Sequence, residues 1–308
     1  TAAGSWALER SGALPHGIFR NIDDCVAAAR EAFASFGKLG LAKRKEIIEA
    51  IRVSMRQHGD ELARMAHAET GLGRIDSKII KNRLVTNKTP GPEELEPTAW
   101  SGDHGLTLVE RAPFGVIAAI TPTTNPTSTI ICNSIGMLSA GNTVVFNVHP
   151  SAKQVSCHNI GLINDAIVSA GGPRNCVTAM DRPTIESAQA LMTHKGIRLL
   201  VVTGGPHVVK AAMNSGKRAI CAGPGNPPVV VDETANIAKA ARDIVNGASL
   251  DNNVICVDEK EVFVVETVAA RLLDAMGKSG AVVLTAPQAR ALDKVIFNET
   301  RGPRKPGK

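Results

Sequence analysis

An α/β fold built on a doubly wound parallel sheet is predicted by three observations. Short β-branched runs follow one another from Gly115 onward, and stretches of helical periodicity separate them. The runs are apolar almost throughout instead of alternating, as strands covered on both faces are. The strand candidates are GVIAAI, NTVVFNV, NCVTAM, RLLVVT, RAIC and PPVVVD, with helices predicted near 127–139, 153–170, 184–194 and 206–215 between them. Strands joined in this way need right-handed crossovers, which makes the sheet Rossmann-type. A second series adds a helix at 236–249, the strand EVFVVE, a helix at 267–278, the strand AVVLT and a helix at 287–297, before the chain runs into RGPRKPGK.

Ahead of the sheet, residues 21–88 carry helical periodicity. It begins at NIDDCVAAAREAF, where Asp23 or Asp24 is placed to cap the first turn and Val26, Ala29, Arg30 and Phe33 follow at helix spacing. Between Asn87 and His104, the prolines 90, 92 and 97 and several acids predict a long connection. GLTLVERAPFG then alternates like an exposed strand. At 308 residues the chain exceeds one comfortable core, so two domains, or one and part of another, are expected.

Hydrophobic residues at 44% and charged residues at 21% are the balance of a soluble globular protein. No apolar run approaches the roughly 20 residues of a membrane helix, so no membrane partner is expected. The opening TAAGSWALERSG lacks the basic, apolar, small-residue order of a secretory signal, and a start at Thr1 predicts further chain upstream. The net charge of +6 attracts phosphorylated cofactors but is too dispersed for a nucleic-acid stripe, and 3% aromatics leave no stacking platform. Six cysteines, at 25, 132, 157, 176, 221 and 256, form no CxxC pair and no metal-ligand spacing. Neither a disulfide framework nor a metal site is predicted, and a reducing cytoplasm fits.

The stretch SLDNNVICVDEKEVFVVE crowds polar residues around one cysteine between a predicted helix and a predicted strand. Nucleophiles sit in such polar loops at element ends. A structural cysteine belongs on an apolar face, the reading that fits Cys25, Cys132, Cys157, Cys176 and Cys221. Cys256 is therefore the candidate nucleophile. A thiolate adds to an aldehyde carbonyl to give a tetrahedral hemithioacetal, which gives up a hydride only where an acceptor lies alongside. The predicted sheet is of the kind that binds a nicotinamide dinucleotide. Thr203, Gly204, Gly205 and Pro206 stand at a strand-to-helix junction, where N–H groups and a helix N-terminus face a phosphate, although without GxGxxG such a turn is usually only a turn. TPTTNP at 121–126 ends the first parallel strand at the carboxyl edge, where such sheets bind ligands.

These motifs, in this order, resemble the aldehyde dehydrogenase superfamily, and within it the CoA-acylating propionaldehyde and acetaldehyde dehydrogenases of propanediol and ethanolamine utilisation. GDHGLTLVERAPFGVIAAITPTTNPTSTIICNSIGMLSAGNTVVFNVHPSAK at 102–153 is similar to that branch almost throughout, and LVVTGGP, AGPGNPPVVVD and DNNVIC follow in the family's order. The likeness runs from about residue 18 to about residue 300. It implies that a short-chain aldehyde is oxidised with NAD through a thioester on Cys256 and that the acyl group passes to coenzyme A. It also implies an aldehyde dehydrogenase-like fold: an NAD- and CoA-binding domain over 1–224 with an oligomerisation hairpin near 102–112, the first part of an incomplete second α/β catalytic domain over 225–308, and more chain beyond.

Departures from the acid-producing members carry physical meaning. There a glutamate before a Gly-Gly pair activates water; here CAGPGNPP puts Ala222 in that place, followed by Gly223. Water is a poor nucleophile without a base, whereas a thiol of pKa about 8.5 already offers some thiolate near neutrality, so transfer to CoA is favoured. Asn147 replaces the lysine that binds the cofactor ribose. His149 and Pro150 match the acylating branch, in which this cleft receives NAD and later CoA, with a capping or surface histidine the equal alternative for His149. The likeness also implies cofactor contacts at Thr121, Pro122, Thr123, Thr124, Thr203, Gly204, Gly205, Ala222 and Gly223. An asparagine of the TPTTNP loop helps to stabilise the oxyanion in the wider family. Matching both prolines puts Thr124 in its place and Asn125 one residue later; Asn125 has the better donor, against an ordinary Asx turn before Pro126. Asp251, Asn252 and Asn253 are placed to orient the loop before Cys256.

Two other functions compete: a hydrolytic aldehyde dehydrogenase releasing a carboxylic acid, which Ala222 disfavours, and a non-catalytic nucleotide-binding or interaction fragment, for which the early stop argues. The resemblance implies a homo-oligomer, dimer or tetramer. It also extends to bacterial microcompartments and their shell proteins, reached through a helix that would precede Thr1.

Overall fold

A computed structural model describes residues 14–297; TAAGSWALERSG and RGPRKPGK lie outside them. The chain divides into two compact units, one running up to Glu69 and from Ile79 to Gly223, the other made of Thr70–Lys78 and the chain from Pro224 onward. By sequence alone Thr70–Lys78 reads as part of the first domain's helical layer.

In the first unit, β1 (Ile18–Phe19) leads into α1 (Ile22–Phe36) and then α2 (Leu41–Thr70) and α3 (Ile75–Lys88), of which the last residue of α2 and the first turn of α3 belong, with the chain between them, to the second unit. The N-cap of α1 is Asn21, not Asp23 or Asp24: its extended backbone lets its side chain accept from the Asp24 N–H at 2.8 Å. The two aspartates fall in the first turn, where their charge favours the helix dipole. The predicted connection holds a strand, β2 (Thr98–Gly102), which pairs antiparallel with β3 (Gly105–Val109). Pro97 lies just ahead of β2, where its missing N–H breaks no ladder bond. Every residue of this hairpin is exposed.

The chain then alternates through β4 (Val116–Ile120), α4 (Pro126–Ser139), β5 (Thr143–Asn147), α5 (Lys153–Ser169), β6 (Val177–Met180), α6 (Ile185–Thr193), β7 (Leu199–Thr203), α7 (Pro206–Met213) and β8 (Ala219–Ala222). The all-parallel sheet has the order β1-β6-β5-β4-β7-β8. Both β4 and β5 are buried at every position because helices cover both faces. Val116, Ala118 and Ile120 share a core with residues of α1 and α6, whereas Ile117 and Ala119 pack in the core that α2, α4 and α5 cover. Register places Ala118 between Val145 and Leu200. From β4 the chain builds outward to β6, then returns to add β7 on the other side of β4, so the strand order reverses between β4 and β7. The crevice outside the carboxyl ends at such a reversal is where open α/β sheets take ligands.

The second unit contains β9 (Pro228–Val231), α8 (Ile237–Ser249), β10 (Glu261–Val264), α9 (Glu266–Lys278) and α10 (Ala286–Ile296). PPVVVD therefore pairs in parallel with β10 and takes no part in the six-stranded sheet. Ile237, Ala241 and Ile244 form one stripe of α8 and close over Val231, Val268 and Leu272. The predicted strand AVVLT does not form. No strand pairs with it among the described residues, and Val282 and Val283 are 76% and 78% exposed. Among the described residues no helix is long and apolar enough to cross a membrane, and no cluster of metal-ligating side chains occurs.

Candidate active site

In the first unit the sheet gathers most of the predicted binding residues at one edge. Ile120 is in register with Asn147 and with Val202, and Thr203 with Ala222. The loops after β4, β5, β7 and β8, which carry Thr121–Asn125, His149–Pro150, Gly204–Gly205 and Gly223, therefore leave the sheet side by side. Ladder bonds continue past the strands: the Thr121 N–H donates to Asn147 O at 3.3 Å and the Gly204 N–H to Ala222 O at 3.1 Å.

The side chains at this edge differ in what they are free to do. Thr121 is buried, and its Oγ1 has no hydrogen-bond partner, the state expected of a group waiting for a ligand. Gly205, at the N-cap of α7, makes no side-chain cap, and space is open where its Cβ would be. This edge fits a dinucleotide. Asn147 is already engaged: its Oδ1 accepts from Ser187 Oγ at 2.6 Å and its Nδ2 donates to Thr184 O at 3.5 Å. Thr184 and Ser187 form the capping box of α6, so Asn147 ties a helix start to a strand end. His149 caps the turn that follows it, its Nδ1 accepting from the Ser151 N–H at 3.2 Å, and its role towards a ligand stays a proposal. Burial pushes its pKa down.

Asn125 stands at the N-cap of α4 but makes no capping bond. Its Oδ1 accepts from Lys81 Nζ at 2.5 Å. An ammonium only donates, so the carboxamide oxygen is fixed on that side, and Nδ2 is directed towards Thr124 Oγ1 at 3.3 Å.

Cys256 lies in the second unit. After α8 a 3₁₀ turn, Leu250–Asn253, places three successive residues in the left-handed region: Asp251 at φ 48°, Asn252 and Asn253 at 57°. This conformation costs about 1–2 kcal/mol for most residues and least for Asn and Asp, so the DNN sequence suits it. Tertiary bonds hold it. The fully buried Asp251 carboxylate accepts from the Arg74 N–H at 2.6 Å and from Lys78 Nζ, also buried, at 3.2 Å. Asn253 Nδ2 donates to Ala248 O and Glu259 O, tying the start of the loop to its end. The Ile255 N–H donates to Asp258 Oδ2 at 3.2 Å. A Cβ on Gly225 would stand 2.0 Å from the Cys256 carbonyl oxygen, so only glycine fits there without a backbone shift.

The six thiols separate by environment. Cys25, Cys157 and Cys176 are buried, and burial is the first cause that pushes each thiol up to about 12. Cys132 and Cys221, expected to be buried, are partly exposed, as is Cys256. Cys132 lies within α4 and Cys221 within the edge strand β8, whereas Cys256 alone occupies a turn. Gly225, Lys78, Arg74 and Lys81 were not singled out by sequence. Only the GPGNPP setting of Gly225 offered a local signal.

The two units thus define an α/β protein of dinucleotide-binding type that carries a candidate thiol nucleophile. The chain belongs to the aldehyde dehydrogenase family, whose model matches residues 9–289. It is 51% identical over 282 residues to the acetaldehyde dehydrogenase (acetylating) EutE of Salmonella typhimurium, covering 91% of this chain and 60% of that one. It therefore spans less than two thirds of that curated relative's length. Among solved structures, it is similar to a propionaldehyde dehydrogenase from the Clostridium phytofermentans fucose utilisation bacterial microcompartment, with a TM-score of 0.89, 48% identity and coverage of 95% of this chain and 67% of that one. A Rhodopseudomonas palustris propionaldehyde dehydrogenase with bound CoA and an acylated cysteine gives 0.88, 49%, 94% and 66%.

Proposed function

We propose that the protein carrying this chain is a CoA-acylating aldehyde dehydrogenase, which converts a short-chain aldehyde such as acetaldehyde or propionaldehyde, with NAD and CoA, to acyl-CoA. The observation that carries this reading is the setting of Cys256: a partly exposed thiol in a turn three residues after a left-handed run that side-chain bonds hold, in a chain whose Cys25, Cys157 and Cys176 are buried and protonated.

Cys256 Sγ, as thiolate, adds to the aldehyde carbon, and negative charge develops on the former carbonyl oxygen. Asn125 Nδ2, with the Cys256 amide, is the proposed donor to that oxygen. Bound NAD supplies the hydride acceptor, and the loops after β4 and β7, with the Thr121 hydroxyl and the start of α7, are its proposed seat. Loss of hydride from the hemithioacetal carbon re-forms the carbonyl and leaves a thioester on Cys256. The CoA thiol then adds to the thioester carbon and Cys256 departs as thiolate. One aldehyde, one NAD and one CoA are consumed; one acyl-CoA, one NADH and one proton form. Ala222 supplies no base for water, and the similar proteins named as acetylating or holding CoA favour thiol transfer over hydrolysis. The intact protein, given propionaldehyde and NAD, should sustain NADH formation only when CoA is added. Turnover to free acid without CoA would sink the acylating reading.

The exposed hairpin β2–β3 is the proposed intersubunit element of a dimer or a dimer of dimers. Leu106 and Leu108 stand 73% and 59% exposed on one face of it and Trp100 58% exposed on the other, apolar side chains that a partner subunit would cover. Light scattering should give a multiple of the subunit mass, and Leu106→Asp with Leu108→Asp should reduce it; an unchanged mass would remove the hairpin from the interface. The protein is proposed to act in the cytoplasm or within a bacterial microcompartment, the setting named for the Clostridium relative.

A further inference from the structure

We infer that Lys78 is a positioning residue for Cys256, acting through Asp251; this rests on Cys256 being the nucleophile of the reaction proposed above. Asp251 accepts from two donors on a piece of chain far away in sequence, the Arg74 N–H and Lys78 Nζ, separated from it by 177 and 173 positions. The first is main chain and survives any substitution, whereas the Lys78 ammonium can be removed; Ser77 Oγ, which accepts from the Asp251 N–H at 3.2 Å, stays in place. The same piece is shaped to admit the carboxylate. Gly73 has φ +68°, and a Cβ there would stand 2.0 Å from Asp251 Oδ1.

Asp251 opens the run of three left-handed residues, a conformation the chain keeps only where its surroundings fix it. Beyond Asp251 the loop is rigid: Asn253 bridges Ala248 and Glu259, and Lys260 Nζ donates to the Ile255 and Asp258 carbonyls. A displacement of Asp251 is therefore passed to Cys256 instead of being absorbed between them. For stability alone an apolar pair would serve as well as a buried ion pair. What the ion pair adds is one geometry, with the ammonium aimed at a single carboxylate oxygen.

The test uses the intact protein. Lys78→Met removes this ammonium from a buried carboxylate, so the neutral double variant Lys78→Met with Asp251→Asn is made beside it, and Lys78→Arg as the conservative replacement. The double variant is expected to lose about 10- to 100-fold in kcat while KM for the aldehyde stays within about twofold, because misplacing a reacting group by about 1 Å costs that much. The pH midpoint for alkylation of Cys256 by iodoacetamide should not move, and Lys78→Arg should recover most of the rate. A folded double variant with wild-type kcat overturns the assignment, and so does a shifted alkylation midpoint that accounts for the lost rate, since Lys78 would then act on thiol acidity. If the wild type forms no NADH with aldehyde and CoA, the acylating reading falls. The crystal structure of the double variant then decides alone: residues 251–253 leaving the left-handed region supports the role of Lys78, and an unchanged backbone overturns it.

Discussion

Cys256→Ala should abolish aldehyde-dependent NADH formation, lowering kcat by at least about 10⁴-fold, the scale on which removing a covalent nucleophile acts. The loss should be this large because the three buried thiols cannot take over. Cys25, Cys157 and Cys176 are held near 12 by burial, so at pH 8 only about one in 10⁴ of each is thiolate, and the thiolate is the reactive form. Brief iodoacetamide treatment of the wild type at that pH should label Cys256 and spare those three, which become reactive only as the pH rises towards 12. NADH formation that persisted in the alanine variant would show that another group carries the chemistry.

Gly225→Ala should lower kcat by about 10²-fold in the protein that folds and cost about 1–3 kcal/mol of stability, the usual penalty of forcing extra volume into a packed site. Gly225 is not among the glycines with positive φ, so alanine suffers no conformational penalty there. The whole effect is steric. The new methyl would meet the carbonyl oxygen and carbon of Cys256 at 2.0 and 3.0 Å, and backbone cannot swing aside as the end of a side chain can. Thermal melting together with kcat checks both parts. A wild-type melting temperature with wild-type kcat would mean that the segment around Gly225 yields without disturbing Cys256.

Much of the sheet was legible in the sequence because strands buried on both faces must be apolar at consecutive positions, as Val116–Ile120 is. What escaped depends on partners instead of pattern. β1 has two residues and exists because it meets β6. AVVLT has the composition of a strand, but a strand also needs a neighbour, and none pairs with it among the described residues. PPVVVD reads as a strand from its residues, yet nothing local says which sheet it joins. The candidate site divides in the same way. Cys256 was legible because polar residues surround it, and Asn147 because its position corresponds to a family lysine. Its engagement with Ser187, 40 positions later, was not legible. Nor was the engagement of Asn125 with Lys81, which keeps the asparagine from capping its helix. Long-range hydrogen bonds leave no periodicity behind.

The tie between Lys78 and Asp251 also sets a timetable for biosynthesis. Lys78 leaves the ribosome 173 residues before its carboxylate does, which at 5–20 residues per second is a delay of roughly 10–35 s. Throughout that interval the nascent chain can complete its six-stranded sheet, while the ammonium that will be buried stays in water. The left-handed run at 251–253, three residues before Cys256, lacks this grip until both ends of the span are present. The proposed nucleophile is thus set in place after the sheet edge proposed to receive NAD.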